Sequence, residues 1–154
     1  MPLIDKEVDT SVLFSPEELL YRRVNPSHLN TNGELGPETL NTFSFEASIE
    51  SAPSVNRSQF SQPEDVIHIN CACGKDVSGY LVYSINVVSL PTNLEFGSKV
   101  FRFFPVHIPL ALCGAHSVIS CCYEADSYQK YEKPPRPVRN AFRTLLATKL
   151  RKHV

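Results

Sequence analysis

Tryptophan is absent from this 154-residue chain, glycine occurs 6 times against 12 prolines, and no apolar run approaches the ~18 residues of a membrane span. Each absence removes a class. Scarce glycine leaves no Gly-rich phosphate loop and no Walker motif. Without tryptophan, a strongly basic balance or a groove-reading motif, specific nucleic-acid recognition is not expected. The start, Met1-Pro2-Leu3-Ile4-Asp5-Lys6-Glu7, lacks the basic-then-apolar order of a secretory signal, so a cytoplasmic chain is expected. No membrane association and no cofactor are expected either.

Cysteine is present but irregular. The five cysteines make an odd count without regular spacing, which fits reduced thiols better than an oxidised framework. Zinc would need four tetrahedral ligands, supplied as pairs two to four residues apart. Cys71-Ala72-Cys73 is spaced too tightly, and adjacent Cys121 and Cys122 point to opposite faces of an extended strand. Packed thiols are expected there rather than a metal site. A cysteine nucleophile, Cys113 or Cys122 with His107 or His116 as base, lacks a third group to orient it.

What is there is enough for one core. A chain of this length buries roughly 68–70% of its unfolded surface. A single domain over residues 1–154 is expected, with 1–14 flexible and 25–54 loop-rich in Asn, Ser, Thr, Pro and Gly. The net charge of −1 conceals a gradient: residues 1–66 hold 11 acids and 4 bases, and residues 130–154 hold 1 acid and 8 bases. Such asymmetry implies a partner, self-association of the two ends, or a solvated helix face balanced by acidic loops elsewhere.

Ser15-Pro16-Glu17-Glu18 reads as a helix start, with Leu19 and Leu20 as its apolar side. Asn32-Gly33 marks a tight turn, and a brief strand is expected over Phe43 to Ala47. A second short helix is expected from Ser61 toward His68. Alternation predicts strands over Gly79 to Leu90, Lys99 to Phe104 and Ala115 to Tyr123. After the proline-rich stretch Glu132 to Pro137, Val138, Ala141, Phe142, Leu145, Leu146 and Leu150 form a helical apolar stripe suited to docking on a sheet. The fold class expected is therefore α+β. An antiparallel or mixed sheet of three to five strands would be packed by this C-terminal amphipathic helix and one or two short helices.

Four local motifs, in order, resemble a group of short uncharacterised bacterial proteins. They are Leu20-Tyr21-Arg22-Arg23-Val24, Ser54-Val55-Asn56-Arg57, Ala115-His116-Ser117-Val118-Ile119 and Arg143-Thr144-Leu145-Leu146-Ala147. Pro105-Val106-His107-Ile108-Pro109 and the cysteines depart from the group's pattern. The resemblance implies a bacterial, cytosolic setting, with a defence or toxin–antitoxin neighbourhood, and no mechanism.

Folding signals run throughout while catalytic geometry is not legible, so the first reading is a non-enzymatic interaction module with a protein partner. Its basic surface would be Arg139, Arg143, Lys149, Arg151 and Lys152, with nucleic acid a weaker alternative to a protein. The second reading is a divergent nucleotide- or NAD-handling enzyme, loosely like ADP-ribosyl-transferring toxins. Arg22, Arg23 and Arg57 would bind phosphates by paired hydrogen bonds, with His28 nearby. His116, His107 and Asn56 are the catalytic candidates, although no convincing catalytic glutamate accompanies them. Convergence of these residues on one polar cleft would favour the second reading.

Overall fold

An antiparallel sheet of seven strands organises the computed structural model, which describes residues 14–125 and 130–153. The expected flexible stretch 1–14 lies outside the described residues except for Phe14. The strands are β1 (Leu19–Val24), β2 (Ser54–Arg57), β3 (Leu81–Asn86), β4 (Leu94–Phe96), β5 (Lys99–His107), β6 (His116–Tyr123) and β7 (Arg151–Lys152). They lie in the order β4-β5-β6-β2-β1-β3-β7, and every pairing is antiparallel. Two α-helices, α1 (Pro37–Asn41) and α2 (Arg136–Lys149), and short 3-10 segments accompany the sheet among the described residues. The expectation of three to five strands is thus corrected. β2, β4 and β7 hold 4, 3 and 2 residues, too few for alternation to register.

β1 is the main reversal, because a helix was expected to start at Ser15. Ser15 does close a turn, with Glu18 N donating to Ser15 O at 3.0 Å, but the chain then extends. Burial decides the matter: Leu20 and Val24 enter the main core, while Tyr21 packs on the other face with Val66 and Val82. A strand can bury both faces at a period of two; a one-turn helix cannot. Phe43 to Ala47 is not a strand, yet Phe43 and Phe45 are buried, and Phe45 meets Phe103 and Phe142 edge-on. The short helix expected from Ser61 is present as a 3-10 helix over Pro63–Ile67, with its cap at Gln62, whose N donates to Asp65 Oδ2 at 2.7 Å.

The terminal helix docks as expected on the sheet. Phe142 stacks on Phe103 of β5, with centroids 4.2 Å apart and planes 12° from parallel. Val138, Phe142, Leu146 and Leu150 are buried, whereas Ala141 and Leu145 remain exposed, so the stripe is narrower than the sequence suggests. Beyond Leu150 the chain becomes the edge strand β7, paired through Tyr83↔Lys152 and Ser84↔Arg151.

Candidate functional site: a cationic cleft where two strands part

β1 and β2 pair at only two positions, Leu20↔Arg57 and Tyr21↔Asn56. Beyond them β1 follows β3 as far as Val24↔Leu81, while Ser54 and Val55 of β2 follow β6. The strands therefore fork. Arg22 bridges the fork: its Nη1 donates to Ser54 O at 2.7 Å, and its Nη2 to Thr42 O at 2.8 Å and Thr42 Oγ1 at 3.2 Å. The guanidinium carbon lies 4.4 Å from the centre of the Phe43 ring.

A cleft of about 310 Å³ opens here, lined on the strand side by Arg22, Arg23, Ser54, Asn56 and His116. The facing wall comes from residues 68–80, which contribute Cys71, Cys73, Lys75 and Tyr80. That wall is tied down twice. Cys71 and Cys113 form a disulfide with Cα atoms 4.9 Å apart, and Asn25 Nδ2 donates to Tyr80 Oη at 3.2 Å. A left-handed turn at Cys73 (φ 54°) and Gly74 (φ 84°) lets the chain reverse before Lys75.

Three cations line the cleft, Arg22, Arg23 and Lys75, and no aspartate or glutamate does so among the described residues. Burial, then the like charge of Arg23, pushes the Arg22 guanidinium down to about 10, so it stays protonated at neutral pH. Arg23 has no hydrogen bond or ion pair to any described residue. Lys75 has no carboxylate partner among them, and its Nζ stands 5.9 Å from the Tyr80 ring centre.

His116 has a defined tautomer. Its Nδ1 lies 2.7 Å from the carbonyl of Ile108, which can only accept, so Nδ1 carries the hydrogen. Nε2 is then the acceptor for the hydroxyl of Ser54, 3.2 Å away. Burial holds the imidazole below its ordinary pKa; the Ile108 contact opposes this, and the Arg23 charge adds to it. Asn56, buried beside them, donates from Nδ2 to Cys71 Sγ at 3.4 Å.

Of the residues singled out by sequence, Arg22, Arg23, His28, Asn56 and His116 meet at this cleft. Arg57 and His107 do not line it. Arg57 is fully buried, donating from Nε and Nη2 to the two oxygens of Glu18, each at 2.9 Å, with Phe14 and Phe60 against its guanidinium. His107 packs against the Phe60 ring, 3.4 Å from Ser117 Oγ. The expectation of free thiols is corrected for Cys71 and Cys113, which the fold brings together across 42 residues of sequence. Cys73 is a free, exposed thiol, and the side chains of Cys121 and Cys122 are buried on opposite faces of β6. Burial, then the neighbouring Cys122 and Glu132, pushes the Cys121 thiol up to about 12.

The basic end is divided. Arg139 Nη1 donates to Pro134 O at 2.8 Å, Arg143 Nε to Phe43 O at 3.2 Å and Arg151 Nη1 to Thr148 O at 3.0 Å. Lys149 and Lys152 are exposed. Sequence reasoning missed Ser54 and Lys75 as site residues. Ser54 opens the Ser54-Val55-Asn56-Arg57 motif, which could have flagged it; Lys75 sits in a stretch without periodicity and gave no signal.

Compared with family models, curated proteins and solved structures, the chain matches none. No helix among the described residues is long and apolar enough to cross a membrane.

Proposed function

We propose that this domain binds a phosphate-bearing small molecule of the nucleotide class in the forked cleft. The observation that carries the reading is a cleft lined by Arg22, Arg23 and Lys75 with no carboxylate among its described residues. Three cations gathered in one concavity, without carboxylates to neutralise them, favour an anion, and guanidinium groups hydrogen-bond phosphate oxygens in pairs. Asn56, His116 and Tyr80 supply polar groups suited to a sugar or base beside the phosphates.

Support for an interaction module is weaker at the basic end, because Arg139, Arg143 and Arg151 bond to nearby carbonyls. ADP-ribosyl transfer is also disfavoured: a cationic sugar-like transition state would face three cations and, among the described residues, no carboxylate. Titration calorimetry of the full chain with ADP, NAD and inorganic pyrophosphate tests the proposal. Saturable binding that weakens with added salt is expected. Heat indistinguishable from buffer at millimolar ligand for all three would overturn it.

A further inference from the structure

Ser54 and His116 form a pair that anion binding alone does not require. They lie on adjacent strands, β2 and β6, in a register that pairs Ser54 with Val118 and Asn56 with His116. Both side chains therefore lie on one face as diagonal neighbours, and the rigid sheet sets their spacing. The Ser54 hydroxyl is 3.2 Å from His116 Nε2, and the far ring nitrogen is held by the Ile108 carbonyl at 2.7 Å. A nucleophile, a base and a group that orients the base are thus in line. Arg22 adds charge at the same place, with Nη1 on the Ser54 carbonyl at 2.7 Å.

Resting on the nucleotide-binding reading, we propose that Ser54 is a nucleophile, with His116 as its base, and accepts a phosphoryl group from a nucleoside phosphate bound in this cleft. The Ser54 Oγ–H proton passes to His116 Nε2 while the Oγ–P bond forms. The bond between phosphorus and the leaving oxygen breaks, its electron pair staying on that oxygen, which takes the proton from the imidazolium. Water then attacks the phosphoserine, gives its proton to Nε2 and releases inorganic phosphate as the proton returns to Ser54 Oγ. No oxidant or reductant is needed. Phosphorus is favoured as the electrophile because Arg22, Arg23 and Lys75 can neutralise charge spread over phosphoryl oxygens. Ser54 rather than water is the first nucleophile because its hydroxyl already occupies the accepting nitrogen of His116.

The full chain is incubated with each of the four common nucleoside triphosphates, quenched in acid and read by intact mass and peptide mapping, with phosphate release followed in parallel. One phosphoryl group on Ser54, or phosphate release that depends on it, is expected. Ser54→Ala abolishes both, and His116→Gln slows both by on the order of 10²–10⁴-fold. Ser54→Thr keeps the hydroxyl and retains measurable release, which separates chemistry from folding. The rate should level off above a pKa lower than the ordinary imidazole value of 6.5. Phosphate release unchanged in Ser54→Ala overturns the proposal. So does nucleotide binding with neither label nor release, which leaves the binding reading standing; absence of binding overturns both. Labelling of Ser54 by p-nitrophenyl acetate but not by p-nitrophenyl phosphate would identify acyl chemistry and also overturn it.

Discussion

The guanidinium of Arg57 is enclosed by Glu18, Gln59 and two aromatic rings, whereas that of Arg23 meets no hydrogen-bond partner among the described residues. Removing one partner of a buried pair leaves an uncompensated charge. Glu18→Ala should therefore destabilise the fold by about 3–5 kcal/mol, measured by urea unfolding. Arg23→Ala should behave in the opposite way. Stability should change by less than about 0.5 kcal/mol. Binding of ADP should weaken by about 1.5–3 kcal/mol, roughly 10- to 150-fold, in calorimetry. His116 links stability to pH. Its folded pKa lies below the unfolded value of 6.5, so on acidification the unfolded chain takes up a proton before the folded chain does. The His116 contribution is complete above pH 6.5 and is lost as pH falls toward the folded pKa. Urea midpoints compared between wild type and His116→Gln should show a smaller acid decline in the variant.

At the scale of elements, legibility followed length and pattern. β5, β6 and α2 run for 9, 8 and 14 residues with clear periodicity, and strands or a helix were expected at each. β1 misled because Ser15-Pro16-Glu17-Glu18 carries a sound local helix signal that loses to burial of Leu20 and Tyr21 on opposite faces. The helix stripe was overread in the same way, since the sheet covers only Val138, Phe142, Leu146 and Leu150. Phe142→Ala should cost about 3–5 kcal/mol by urea unfolding, and Leu145→Ala, on the exposed side, under about 1 kcal/mol. The last residues are structural as well. Removing Lys149 to Val154 would delete the buried Leu150 and β7, so such a truncation tests folding before it tests any partner.

Across the whole molecule, the cleft depends on joining segments distant in sequence. The Cys71–Cys113 bond holds the wall that carries Lys75 and Tyr80 against the turn before β6. Closing a loop of this separation, 42 residues, contributes about 4 kcal/mol in the chain-entropy account. Reduction, or Cys71→Ser with Cys113→Ser, should lower the urea-derived stability by up to that amount and weaken ADP binding; unchanged affinity would mean the wall holds without the bond. The charge gradient reads differently in three dimensions. Two of the three cleft cations, Arg22 and Arg23, come from the segment richest in acid, where Glu18 is occupied by Arg57. The sequence by itself determined the strong periodic elements, the docking face of the terminal helix and most of the polar residues that gather at the fork. These follow from local spacing and side-chain chemistry. The tertiary structure alone decided that β1 is a strand, that Arg57 is buried while Arg22 lines a cleft, that Cys71 meets Cys113 and that Ser54 faces His116. Each depends on strand register and long-range burial, which no local window of sequence contains.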